Sequence, residues 1–301
     1  AAARTRDKRA LRAALDAQEV PQPRWAPFDD PDHLPDVGFP CVVKPAGLAG
    51  SQGVIRADDK VTARVAAERA RRIACDGPLL VEEFVPGAEV AVEAILRSGA
   101  LEVLALFDKP DPLDGPYFEE TIYVTPSRLP AATQEALARV TADAARAIGL
   151  EEGPVHAELR IAHDAGGDRI RVIDVAARSI GGLCARALRF GAGISLEEVI
   201  LRHALGMPLA DLERERAASG VMMLPIPTSG VLRAVHGQDA ARAVPGIVGL
   251  EISIPRNRPV VALPEGDRYL GFLFARADTP DAVEAALRRA HASLEVVIET
   301  E

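Results

Sequence analysis

Aromatic side chains are scarce, with Phe, Trp and Tyr making up 4% of 301 residues. A chain so poor in rings has little with which to stack nucleobases. Positive charge is also in deficit: 35 Lys and Arg against 44 Asp and Glu give a net charge of −9. The arginines are dispersed rather than clustered, which speaks against a phosphate-backbone surface. Both shortages exclude a nucleic-acid partner from the expectations. Cysteine is limited to Cys41, Cys75 and Cys184, odd in number, widely spaced and without a C-x-x-C pair. Neither a disulfide framework nor a zinc site is supported, and buried reduced thiols are expected. No apolar run reaches the roughly 20 residues that span a bilayer. The opening AAARTRDKRALRAAL is charged within a helical pattern and is not built like a signal peptide. The expectation is a cytoplasmic protein with no membrane partner.

What is present is enough apolar material, 48% of the residues, for a core divided between about two units. The organising stretch is GFPCVVKPAGLAGSQGVI, residues 38 to 55. Val42 and Val43 read as a strand, Lys44 closes it, and Pro45 stops it. Gly47, Gly50, Ser51 and Gly53 then leave main-chain N–H groups uncovered, as a polyphosphate requires. The lysine precedes the glycines, so this is not a Walker loop, and a second strand rather than a helix follows, so it is not a dinucleotide fingerprint.

Before this stretch, residues 5 to 17 read as a helix capped by Thr5, with Lys8 near its start. After it, residues 60 to 74 read as an amphipathic helix with Val61, Val65, Ala66 and Ile73 inward. LLVEEFVPGAEVAVEAIL, residues 79 to 96, is a strand bent at Pro86-Gly87 and carrying Glu82, Glu83 and Glu89 around the bend. A strand edge there can offer a donor and acceptor to an adenine, and a following carboxylate can hold two ribose hydroxyls. A strand at 101 to 107 leads into a loop rich in Pro, Asp and Gly that ends at Glu119 and Glu120, candidates for holding a substrate amino group. A helix at 130 to 148 follows.

VHAELRIA (155 to 162) and IRVIDVAA (170 to 177) are strands joined by the hairpin signal DAGGD. Glu158 and Asp174 can face each other across that pair, where Mg²⁺ would relieve their repulsion. Arg178, Gly181 and Gly182 form a basic turn, the arginine either holding an anionic group or ion-pairing with Asp174. His156 is a residue of the substrate side rather than a catalytic base. A helix spans 195 to 205. Beyond it, short strands at 221 to 226, 230 to 235, 250 to 254 and 269 to 275 precede a helix at 280 to 294.

The ordered set of these features resembles the ATP-grasp superfamily, which includes carboxylate–amine ligases, biotin carboxylase and D-alanine ligase. RDKRALRAALDAQEVPQP is similar to the segment whose lysine touches nucleotide phosphates, which assigns Lys8. KPAGLAGSQGV is similar to the lid, with Lys44 on the α- and β-phosphates and Ser51 to Gly53 over the γ-phosphate. VEEFVPGAE is similar to the adenine hinge, placing Glu82, Glu83, Phe84 and Val85 around the base and Glu89 on the ribose. HAEL and IDVAAR resemble the metal strands, so the resemblance implies Glu158 and Asp174 on Mg²⁺ and Arg178, with Lys44, as the catalytic cations. VMMLPIPTSGVLRAVHG, PGIVGLEI and YLGFLFARADTPDAVEAAL look like the C-terminal subdomain of bacterial L-amino-acid ligases.

The resemblance implies an α+β ATP-grasp fold: an N-terminal helix and linker at 1–20, a lid at 21–86, a central subdomain with the metal site at 87–210, and a C-terminal subdomain at 211–301. It implies ATP and Mg²⁺, small carboxylate and amine substrates, an acyl-phosphate, and a homodimer as the family-level arrangement. A biotin carboxylase-like ligase and a non-catalytic ATP-binding module are the alternatives. Two departures stand out. The family's Glu-x-Asn-x-Arg reads Asp174-Val175-Ala176-Ala177-Arg178 here, one oxygen ligand fewer. The Rossmann-like domain that usually comes first has no counterpart before Lys8, so the chain is expected to be part of a longer one.

Overall fold

The structure, a computed structural model, describes residues 1–164, 167–191, 193–209 and 212–300. Two helices open the chain, α1 (Ala2–Thr5) and α2 (Lys8–Asp16), where one helix over 5 to 17 is expected. The break falls at Asp7 because its carboxylate, rather than Thr5, caps α2 by accepting from Arg9 N and Ala10 N. Four strands then build the lid: β1 (Trp25–Phe28), β2 (Cys41–Pro45), β3 (Ile55–Ala57) and β4 (Leu79–Glu83). They pair antiparallel in the order β1-β4-β2-β3.

Helix α3 (Lys60–Ile73) packs on this sheet through Ala63, Ala66, Ala67 and Ala70, all buried. The expected inward valines face water: Val61 is 74% and Val65 59% exposed. Small alanines let the helix lie close to the sheet, which leaves no room for a valine on that side. A capping box between Asp59 and Thr62 starts the helix. Its end turns through Cys75 and Asp76, both at positive φ, and this places Cys75 in solvent while Cys41 and Cys184 are buried as expected.

The central part consists of β5 (Ala88–Arg97), β6 (Ala100–Lys109), β7 (Ile122–Thr125), α4 (Ala131–Ala147), β8 (Gly153–Asp164) and β9 (Gly167–Ala176). Strands β8 and β9 pair antiparallel as the sequence predicts; the predicted turn between them includes Ala165 and Gly166, outside the described residues. Helix α5 (Leu196–Ala204) begins at Ser195, whose hydroxyl accepts from Glu198 N. The chain continues through β10 (Ala218–Leu224), β11 (Gly230–His236), α6 (Gln238–Arg242), β12 (Ile247–Ile252), β13 (Pro259–Val260), β14 (Gly271–Ala277), α7 (Pro280–Ala292) and β15 (Glu295–Glu299).

The boundary expected at 210 and 211 falls on residues outside the described ones, and the sheet does not divide there. Eight strands form one antiparallel sheet in the order β12-β14-β10-β7-β6-β5-β8-β9. The short β7, missed in the sequence because Glu119 and Glu120 abut it, pairs with β10 through Ser219↔Thr125 to Met222↔Ile122 and so joins the two parts. Of the strands after β9, β13, β11 and β15 form a separate small sheet.

Period-two alternation decides which residues reach the site. On one face Val90, Val92, Val155, Ala157 and Leu159 pack against α2 and α4 around the fully buried Leu137. Burial of that leucine contributes about 1.5–3 kcal/mol. The opposite face carries Ala91, Ile95, Phe107 and Tyr123, and the charged residues interleaved with them turn towards the lid.

Candidate active site

Cross-strand register brings opposite charges together on that face. Glu89 on β5 stands between Lys109 of β6 and Arg160 of β8, directly opposite both. Its two oxygens are shared between them: Oε1 accepts from Lys109 Nζ at 2.8 Å and Oε2 from Arg160 Nε at 2.7 Å. Two residues along β5, Ala91 stands opposite Glu158, and two further Glu93 stands opposite His156. Buried charges are tolerated when each has such a partner.

Lys109 is the hub. Its Nζ also donates to Glu120 at 2.6 Å and to Glu158 at 3.0 Å, and it lies 4.9 Å from the centre of the Tyr123 ring. Glu89, Glu120 and Glu158 place carboxylate oxygens within 4.8 Å of one another. Burial and the neighbouring Glu158 charge push Glu120 up to about 7 against the pull of Lys109. Burial also works against the charged form of Glu158, but Lys109 and His156 outweigh it and hold this carboxyl well below the usual range. His156 is raised to about 10 despite its burial, by Glu93 and Glu158. Both its nitrogens face carboxylates, so it does not present a free nitrogen to a substrate, although it borders the cavity.

The lid supplies the second wall. Lys44 ends β2 with its Nζ 2.6 Å from Glu82 Oε2, and Arg12 Nε of α2 donates to Glu82 Oε1 at 2.6 Å. Burial opposes ionisation of Glu82, yet these two cations hold it at about 2. Arg12 continues to the carbonyls of Val172 and Ile173, tying helix, lid and β9 together. Lys8 donates from its main chain to Ala46 O at 2.9 Å and from its ammonium to Leu48 O. Gly50 and Ser51 take positive φ, which exposes the loop's main chain on the cavity side.

A cavity of about 970 Å³ lies between these walls. Of the residues expected there, Lys8, Lys44, Ser51, Glu82, Glu83, Phe84, Val85, Glu89, His156, Glu158, Asp174, Arg178, Gly181 and Gly182 all border it. Gly53 does not. Its N–H donates to Pro264 O at 2.8 Å, and a Cβ there would come within 2.6 Å of Pro45 Cγ, so it seats the loop rather than covering a phosphate. Glu119 is absent from the wall too, because its half-buried carboxylate takes the main-chain N–H of Ile226; Glu120 enters instead.

The side chains of Glu82 and Glu89 are each engaged by two cations, Arg12 and Lys44 for the first and Lys109 and Arg160 for the second. Glu83 pairs with the exposed Arg24, and the Val85 carbonyl accepts from Arg160 Nη1. The guanidiniums of Arg56 and Arg160 lie over the Phe84 ring, 4.3 and 5.1 Å from its centre. Asp174 is the register partner of Glu158, with a bulge immediately after that pair, and Ala176 stands opposite His156. Arg178 Nη1 bonds Ser179 O at 2.7 Å and forms no ion pair with Asp174 among the described residues.

The lid meets the rest of the chain at its loop. Gln52 Nε2 donates to Glu265 O, Arg69 makes a two-point pair with the Glu265 carboxylate at 2.6 and 2.9 Å, and Arg69 Nη1 reaches the Tyr117 hydroxyl at 2.6 Å. Arg56 N donates to Pro116 O at 2.9 Å. Lys109, Arg12, Arg160 and Glu93 are the residues missed in the sequence. Lys109 shares the phase of Ala105 and Phe107 on β6, a readable sign, whereas Arg12 breaks an apolar helix stripe and gives none.

Comparison with known proteins agrees with this architecture. The ATP-grasp domain matches residues 37–187, and the L-amino acid ligase C-terminal domain 2 matches residues 222–299. The crystal structure of an L-amino acid ligase from Bacillus licheniformis superposes with a TM-score of 0.79 at 26% identity, covering 99% of this chain and 73% of that one. A D-alanine–D-alanine ligase of Aromatoleum aromaticum is 34% identical over 156 residues, 50% of each chain. An uncharacterized protein of Sinorhizobium fredii is 25% identical over 304 residues, 96% of this chain and 60% of its own. The chain therefore spans 60% and 50% of these two curated relatives. With half of its length matched by the domain and the fold followed from end to end, the chain belongs to the ATP-grasp family and carries the C-terminal domain of the L-amino acid ligases.

Proposed function

We propose that the chain is the ATP-using part of a carboxylate–amine ligase that joins amino acids or similar small molecules. The observation that carries this reading is one cavity bordered by Lys8, Lys44 and the bare main chain of Gly50 and Ser51 on one side, and by an ionised carboxylate, Glu158, with Arg178 on the other. The lysines and loop would hold the triphosphate, fixed in place by Glu82 and Arg12. A carboxylate oxygen of the first substrate attacks the γ-phosphorus and ADP leaves. The amine of the second then attacks the acyl carbon, phosphate departs, and the amine loses a proton. Arg178, exposed at the cavity rim, offsets charge on the transferred group.

Mg²⁺ fits the donor set: Glu158 and Asp174 are hard oxygen ligands at opposite register positions on the cavity wall, and Glu158 is held in its charged form. Bound there, the ion would neutralise phosphate charge. Ala176 supplies no oxygen, which leaves that position to water. Glu120, whose affinity for protons lies near neutrality, is the group placed to accept a hydrogen bond from the amine. No helix is long and apolar enough to cross a membrane among the described residues, and a cytoplasmic setting suits the nucleotide.

The test is phosphate release from ATP and Mg²⁺ across pairs of amino acids and small carboxylates, with products weighed by mass spectrometry. A condensed product whose mass lacks one water supports the reading. Release triggered by bicarbonate alone points to the carboxylating alternative, and nucleotide binding with no release in any combination overturns the ligase assignment.

A further inference from the structure

We propose that Glu93 and His156 act as a positioning pair, which fixes the metal-ligating carboxylate of Glu158 relative to the turn that carries Arg178. The inference rests on the ligase reading above and adds to it a role for two residues to which that reading gives no part in the chemistry.

Glu93 and His156 are register partners on β5 and β8, 1% and 7% exposed. Both oxygens of Glu93 are used. Oε1 meets His156 Nδ1, and Oε2 accepts from Ile180 N at 3.0 Å. On its far side His156 Nε2 lies 3.4 Å from Glu158 Oε1. Ile180 sits between Arg178 and the cavity-lining Gly181 and Gly182. Three successive contacts thus run from the turn, through two side chains anchored on adjacent strands, to the carboxylate.

The fold itself does not call for these groups. Glu93 lies between Ala91 and Ile95, both buried, and burying a carboxylate and an imidazole there costs stability that a hydrophobic pair would not. What they provide is orientation. An imidazole anchored at one nitrogen presents the other in a fixed direction, and a carboxylate that binds a main-chain N–H fixes the turn that follows it.

The experiment uses Mn²⁺ and a non-hydrolysable ATP analogue, with bound metal followed by electron paramagnetic resonance, beside steady-state kinetics. His156→Asn keeps an amide near the Nδ1 position and loses the contact to Glu158; His156→Gln reaches the Nε2 position instead. His156→Asn is expected to weaken Mn²⁺ binding and lower kcat about ten-fold with KM for ATP within two-fold, and His156→Gln to recover most of both. Glu93→Ala, which releases both ends of the chain of contacts, is expected to lower kcat at least as much. Melting temperatures identify variants that have lost the fold. Folded Asn and Gln variants that bind Mn²⁺ as tightly as wild type and turn over at its rate overturn the proposal while leaving the ligase reading intact. A wild-type chain that binds no Mn²⁺ beside the analogue overturns both.

Discussion

Lys44 Nζ and Glu82 Oε2 lie 2.6 Å apart within the lid sheet, one diagonal step across the β2–β4 ladder, both almost fully buried. With Arg12 on the other oxygen, Glu82 is the fixed point from which the cavity's principal lysine projects.

Glu82 makes stability depend on acidity in a definite direction. Its carboxyl is held at about 2 against an ordinary value of 4.5, so its contribution is complete above pH 4.5 and disappears as the pH falls through that value towards 2. The shift corresponds to about 3 kcal/mol at neutral pH. Glu82→Gln leaves two buried cations short of a partner and is expected to cost about 3–5 kcal/mol at pH 7. Thermal unfolding of both proteins between pH 7 and pH 3 checks this: the gap should narrow as wild type loses its advantage. A gap independent of pH would refute the assignment.

Removal of the lysine separates phosphate binding from stability. Lys44→Met should weaken binding of an ATP analogue about 10- to 100-fold, the range for loss of a charge-assisted phosphate contact. Glu83→Gln, which breaks only the exposed pair with Arg24, should change it less than two-fold. Calorimetric titration of the two variants distinguishes them, and equal losses would show that Lys44 has no special access to the nucleotide.

Lys109→Met leaves Glu89, Glu120 and Glu158 facing one another without their shared cation. The expected cost at pH 7 is about 3–5 kcal/mol. Because the carboxyls then repel, the deficit should shrink at pH 5, where protons bind, and in millimolar Mg²⁺. Melting curves under the three conditions measure this, and a deficit that ignores both pH and metal would place the lysine's role in packing alone.

These cases show what the sequence could and could not convey. Alternation along β5 and β8 was legible, and with it the face that carries Glu89, His156 and Glu158. The lysine and glycine loop at 44 to 53 was legible as well. Partnerships were not: Glu82 looks like a free hinge carboxylate until the fold brings Arg12 to it from 70 residues away. Adjacent residues were also hard to tell apart, since a single step in register exchanges Glu119 for Glu120. The inward face of α3 was misread because valines outweigh alanines in apolar content, although close packing against the lid sheet favours the smaller side chain. Strand β7 escaped notice at four residues, too short to show a period.

The contact between the lid and residues 262–267 gives a further expectation. Arg69→Ala removes an ion pair of which both members are at least one-third exposed, so stability should change by less than about 1 kcal/mol. Hydrogen exchange at residues 47 to 54 should nevertheless rise several-fold, because Gly53 and Gln52 share that contact with Pro264 and Glu265. Exchange followed by mass spectrometry would report it, and unaltered protection would mean that the loop is held by its own turns.

The eight-stranded sheet has a mechanical consequence. Since β7 pairs with both β6 and β10, the floor beneath the cavity is one continuous ladder, and bending it at its middle would break main-chain hydrogen bonds. The smaller four-stranded layer above shares no ladder with that floor, so a shift of that layer would leave every strand pairing intact.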